Sequence, residues 1–141
     1  MITRLMTLCL GASCVAFAAA ADLTPVESED LSVPSGQPVE FYENLMDRPA
    51  MGLTARFRFV APELRARLSQ MSYEELEADL SYLCQSYALP RLSQPKPVMV
   101  VISLSEQATE FGAPSEDIPQ VFEAYRPVVT PAGEVCAWEA F

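Results

Sequence analysis

Proton transfer at neutral pH needs a titratable side chain. In this chain of 141 residues it falls to carboxylates, because histidine is absent. Without histidine neither a Ser-His-Asp nor a Cys-His pair can be assembled, and the commonest zinc sites fail too. Two acids stand beside aromatic residues, where an apolar setting makes a carboxyl group more basic: Glu110 before Phe111 and Glu139 after Trp138. They are the candidates for a two-carboxylate hydrolysis of the kind used on glycans. Each also has a plainer reading, as a loop acid and as the outward residue of an edge strand. No catalytic residue is assigned on this basis, and a non-catalytic role is preferred over an enzymatic one.

Binding chemistry has better material. Arg56 and Arg58 alternate with apolar residues in Leu53-Thr54-Ala55-Arg56-Phe57-Arg58-Phe59, so both cations project from one face of a strand. Two guanidinium groups side by side can grip a carboxylate or phosphate; more often such residues pair across strands, here with acids such as Glu40 or Glu43. Phe111, followed by Gly112 in a long loop, is the third candidate for ligand contact. No metal site is assigned, since Glu29-Asp30 and Glu116-Asp117 lack the spacing of a calcium loop. No cofactor is assigned either, because the five glycines form neither a G-x-G-x-x-G nor a P-loop cradle.

The elements that must hold these residues can be read from periodicity. Val39 to Tyr42 and Leu53 to Phe59 suggest a hairpin with one wet face. Pro62 ends the second strand and opens a short helical turn through Leu64 and Leu68. Ser72 with Glu75 forms a capping box, after which Tyr73, Leu76, Leu80, Leu83, Cys84 and Tyr87 share a helical face up to Pro90. Glu74, Glu75, Glu77 and Asp79 near its start suit the positive end of the helix dipole. Val98 to Leu104, apolar throughout except Ser103, is expected as the central strand, covered on both faces. Gln120 to Thr130 and Glu134 to Phe141, around Pro131-Ala132-Gly133, suggest a closing hairpin. Ile118, Val121, Phe122 and Tyr125 also satisfy helical spacing, so the segment 115–125 stays open between strand and helix, with strand favoured. The expected architecture is α+β: a small antiparallel sheet, order along the chain β-β-α-β-β-β, with one main helix on one face.

The first 21 residues say where this domain works. Arg4 precedes an uncharged apolar run from Leu5 to Val15, and Ala16 to Ala21 supply small residues for signal peptidase. The run is shorter than the roughly 20 residues that cross a bilayer, so no membrane span is expected after cleavage, before Ala19 or before Asp22. Lipidation of Cys14 is the alternative that would anchor the protein. The expected organisation is a signal peptide over 1–21, a flexible acidic linker over 22–36 and a single domain over 37–141, periplasmic or secreted. The net charge is −10, and the leader carries Arg4 but no acid, so the exported part is more acidic still. Such a balance repels nucleic acid. Cys84 and Cys136 are the pair left after cleavage, one on the apolar helix face and one on the Trp138 side of a strand. In an oxidising compartment they are expected to form one disulfide.

The stretches from Gly52 to Pro62 and from Leu83 to Leu92, then Ile102-Ser103-Leu104-Ser105, Phe111-Gly112 and the ending Cys136-Ala137-Trp138-Glu139-Ala140-Phe141 also resemble an uncharacterised family of small exported proteins from the Rhodobacter group of alphaproteobacteria. The resemblance covers nearly the whole exported part and implies a domain of unknown function. Two functions stay open: a module that binds an envelope protein or a small ligand through Arg56, Arg58 or the Phe111 loop, and a small carboxylate-dependent hydrolase of envelope glycans.

Overall fold

The computed structural model describes residues 31–114 and 116–140. The expected leader, Cys14 and the first part of the acidic segment lie outside the described residues. Five strands form one sheet in the order of the chain: β1 (Glu40–Asp47), β2 (Thr54–Val60), β3 (Met99–Ser105), β4 (Gln120–Thr130) and β5 (Gly133–Glu139). Between β2 and β3 run a short helix α1 (Leu64–Leu68), the main helix α2 (Tyr73–Leu83), a π-turn over Cys84–Ala88 and a 3-10 turn over Leu89–Arg91. The fold is α+β. The open question over residues 115–125 resolves to strand from Gln120 onward.

The sheet corrects two expectations: it is a full five-stranded sheet rather than a small one, and it is mixed rather than antiparallel. Strands β2 and β3 run parallel, from Thr54↔Met99 to Val60↔Ser105, while the other neighbours are antiparallel. A parallel neighbour needs a crossover of a dozen residues or more, usually helical, and the segment carrying α1 and α2 is that crossover. Strand β3 is buried along its whole length, as a strand covered on both faces should be.

Alternation in the central strands sorts the residues. Ala55, Phe57 and Phe59 of β2, Val100, Ile102 and Leu104 of β3, and Tyr125 of β4 face the helix and form the core with Leu80, Leu83, Cys84, Tyr87 and Ala88. Helix α2 starts where expected: Glu75 N donates to Ser72 Oγ at 3.2 Å and Ser72 N donates to Glu75 Oε2 at 2.8 Å. Its C-terminal continuation is tied to the edge strand β5. Cys84 and Cys136 form a disulfide that closes a separation of 52 residues, with Cα atoms 6.2 Å apart. Gln85 adds two bonds: its Nε2 donates to Glu134 O and its Oε1 accepts from Cys136 N, both at 3.0 Å. The edge of the sheet is thereby partly covered, the usual protection of a free strand.

A further correction concerns a polar residue. Asp79 is fully buried and does not serve the helix dipole. Its carboxylate accepts from Ser35 N at 2.9 Å, Ser35 Oγ at 2.6 Å and Gln37 Nε2 at 2.8 Å, as a buried carboxylate must to offset its desolvation. That clasp holds residues 31–36, the end of the segment expected as linker, against the domain, and Val33 beside it joins the core at 5% exposure.

Candidate functional site

The sheet face opposite the helices carries the sequence-level binding candidates. Arg56 and Arg58 stand on it in β2, in register with Val101 and Ser103 of β3. Strand β1 supplies their acids through an irregularity. Phe41 pairs with Phe59, but the next partner of β2, Arg58, meets Glu43, so Tyr42 is an extra residue in a β-bulge. The bulge turns Phe41 toward the core, where its ring lies 5.0 Å from that of Tyr87, and brings both Tyr42 and Glu43 to the arginine face.

The two arginines have different duties. Arg58 is 6% exposed and its guanidinium is used up in construction. It is paired with Glu43, and Nη2 donates to the carbonyl of Thr109 at 2.7 Å and to its hydroxyl at 2.9 Å. The rings of Tyr42 and Phe111 lie 5.3 and 5.8 Å from its Cζ, within cation–π range. These contacts pull the loop between β3 and β4 over the sheet. Arg56 donates only through Nε, to Asp47 Oδ2 at 3.0 Å, with Phe111 5.5 Å from its Cζ. Its two terminal nitrogens have no hydrogen-bond partner among the described residues.

The loop and the face enclose a cleft of about 260 Å³, walled chiefly by Arg56, Arg58, Ser103, Glu110, Phe111 and Phe122. Four polar groups reach it unspent among the described residues: the Arg56 terminal nitrogens, the Ser103 hydroxyl, the Gln120 amide and the Glu110 carboxylate. Phe111 and Phe122 supply apolar wall. A concave site of this kind, with convergent polar groups making up about as much of its lining as apolar surface, suits a small polar molecule; its volume lies just under that of drug-sized pockets.

Glu110, Arg56, Arg58 and Phe111 are thus brought together, and Glu139 is not. Glu139 lies on β5, opposite Ala124, where it accepts from Arg126 Nε at 3.4 Å and Nη2 at 3.1 Å. Those bonds hold the Arg126 guanidinium above its ordinary pKa. Glu110 is the one carboxylate among the described residues that line the cleft, so the facing pair that glycan hydrolysis needs is not assembled there.

Sequence reasoning missed Ser103, Thr109, Gln120, Tyr42 and Glu43's companionship with Tyr42. Ser103 carried a signal, as the polar interruption of an apolar strand in the same register as the arginines. Thr109 and Tyr42 carried none, because a loop closure and a bulge are long-range outcomes. Among the described residues no group of three metal-ligating side chains converges, and no helix is long and apolar enough to cross a membrane.

No curated protein and no solved structure matches the chain. Residues 12–141 do match a family model, described as a family of unknown function, DUF6497, and since the match spans almost the entire chain, the protein belongs to that family.

Proposed function

We propose that the protein is exported, loses residues 1–21 as a signal peptide, and acts in the periplasm or outside the cell as a non-catalytic binding module. Its ligand is a small molecule carrying a carboxylate or similar planar acceptor for Arg56 and a hydroxyl or ammonium group for Glu110. One observation carries this reading: of two adjacent arginines, one is spent on building the cleft and the other presents unpaired donors into it. A fixed guanidinium fork with two free parallel donors matches a carboxylate in a bidentate pair. The disulfide fits an oxidising compartment, and the leader gives the route. The hydrolase alternative gains nothing from the geometry and is not carried further.

The test is an amide NMR titration with small carboxylic acids and hydroxy acids against their neutral amides. Saturable shifts confined to β2, β3 and residues 106–119, abolished in Arg56→Ala and reduced for the amides, are expected. Equal responses to acids and amides, or shifts that ignore the Arg56 substitution, overturn the reading.

A further inference from the structure

The opposite face of the sheet holds a second concavity, independent of the cleft. It has a volume of about 270 Å³ and is lined by Tyr73, Glu74 and Glu77 of α2 and Trp138 of β5. Both rings are largely open to solvent, at 59% and 54% exposure, yet neither is loose. Tyr73 Oη donates to Glu123 Oε1 at 2.7 Å and Trp138 Nε1 donates to Glu123 Oε2 at 2.8 Å. One carboxylate therefore fixes two exposed aromatic side chains, which costs ordering entropy on both and brings no core burial in return.

The charges around these rings are all of one sign. Glu74, Glu77 and Glu123 form no ion pair among the described residues. Glu75, by contrast, is occupied in the capping box, and the helix dipole accounts for acids of the first turn only; Glu77 lies beyond it. Beneath the rings Tyr125, 1% exposed and opposite Trp138 in the sheet register, ends in a hydroxyl with no hydrogen-bond partner among the described residues. Burial, then the charges of Glu77 and Glu123, push its pKa upward, which places that hydroxyl at the same acidic spot. The hydrogen bond to Glu123 raises Tyr73 likewise.

We propose that Tyr73 and Trp138, with Glu74, Glu77 and Glu123 around them, form an aromatic cage for a methylated ammonium ion of the choline type. Aromatic faces attract cations through the ring quadrupole, and quaternary ammonium groups are the usual cargo of such cages. The choice of a methylated ion over a primary amine follows from the lining, whose accessible surface is mostly apolar. The central carboxylate, Glu123, already accepts from both rings, so methyl groups packed on ring surface are better matched than the three donors of a primary ammonium, which need acceptors. What is offered is apolar ring surface in a negative field.

Trp138 is the single tryptophan of the chain, so it reports on its own site. Its fluorescence is followed during titration with tetramethylammonium chloride and with choline chloride, against sodium chloride at equal ionic strength and against 3,3-dimethylbutan-1-ol, the uncharged analogue of choline. Both cations should give one saturable change that the neutral alcohol does not. Tyr73→Ala, at an exposed position that leaves the reporter in place, should weaken binding about two- to fivefold. Glu77→Gln should weaken it several-fold, and Arg56→Ala should not alter it. Two sources share this chemistry, and vesicles separate them. Sedimentation with phosphatidylcholine but not phosphatidylglycerol vesicles assigns the cage to a lipid headgroup. Choline binding without sedimentation assigns it to a free ion. An equal response to the neutral alcohol, no saturation by either cation, or unchanged affinity in Tyr73→Ala overturns the proposal while leaving the Arg56 cleft untouched.

Discussion

Replacing Arg58 with alanine should unravel the roof of the cleft, and the size of the effect can be worked out from its contacts. The guanidinium makes two hydrogen bonds to Thr109 and one ion pair to Glu43. Hydrogen bonds from a charged donor contribute about 1.5–3 kcal/mol each, and breaking a buried ion pair costs about 3–5 kcal/mol because the survivor is stranded. Here the survivor is not stranded: the Glu43 side chain is 32% exposed and can rehydrate. Thr109 can also turn to water once the loop lifts, which limits the loss to what holds the loop down. The net should therefore sit near the lower end, at about 3 kcal/mol, against a typical domain stability of 5–15 kcal/mol. Arg56 gives the contrast. Its side chain and that of Asp47 are 24% and 37% exposed, and such a pair contributes about 0.5 kcal/mol. Urea unfolding followed by circular dichroism measures both, and hydrogen exchange of residues 106–119 locates the change. Arg58→Ala should lower stability by about 3 kcal/mol and expose that loop to exchange. Arg58→Met, which keeps the apolar stem, should recover only part of the loss. Arg56→Ala should stay within 1 kcal/mol of wild type and leave the loop protected. Equal costs for the two arginines, or a protected loop in Arg58→Ala, would refute the division of labour on which the proposed binding site rests.

Two other outcomes test the frame around the site. Reduction of Cys84–Cys136 reopens a separation of 52 residues and should lower stability by about 4 kcal/mol in the loop-entropy treatment, read as the shift in urea midpoint between oxidised and reduced protein at unchanged slope; a loss below 1 kcal/mol would mean that the helix end and β5 hold together without the bridge. Tyr125→Phe should be neutral or slightly stabilising at pH 7, since it removes a buried hydroxyl that has no partner among the described residues. Above pH 10 the unfolded tyrosine ionises while the buried one keeps its proton, so stability is full below that pH and is lost as pH rises past it, by up to about 1.4 kcal/mol per pH unit. The phenylalanine variant should lack that component, and parallel alkaline losses in the two proteins would count against burial as the cause.

Local patterns in this chain were legible because their causes are local. Alternation in Leu53 to Phe59 decides which side chains of β2 share a face, whatever that strand pairs with. The Ser72–Glu75 box satisfies helix amides within one turn. The pairing of Cys84 with Cys136 followed from two thiols on apolar faces in one small domain. The parallel partnership of β2 and β3 was the first failure, although a helix between two apolar strands is the arrangement a crossover requires. Asp79 was misread for the same reason in reverse: its place near a helix start offers a sufficient local explanation, while the partners that bury it, Ser35 and Gln37, lie more than forty residues away.

The arginines show where such reading ends. Arg56 and Arg58 are two residues apart on one strand face, with the same side chain and similar neighbours, so any argument from periodicity treats them alike. Their difference arises from one bulge in β1, which aims Glu43 at Arg58, and from Thr109, which lies 51 residues away along the chain. The same holds on the other face, where Glu123 fixes Tyr73 and Trp138 from positions 50 and 15 residues distant. Sequence tells which groups can reach a face; the fold decides which of them are consumed in holding it together. Among the described residues, Arg56 with Glu110, Ser103 and Gln120 on one side and two fixed aromatic rings among unpaired acids on the other are left over, and these are the groups on which the two proposed sites rest.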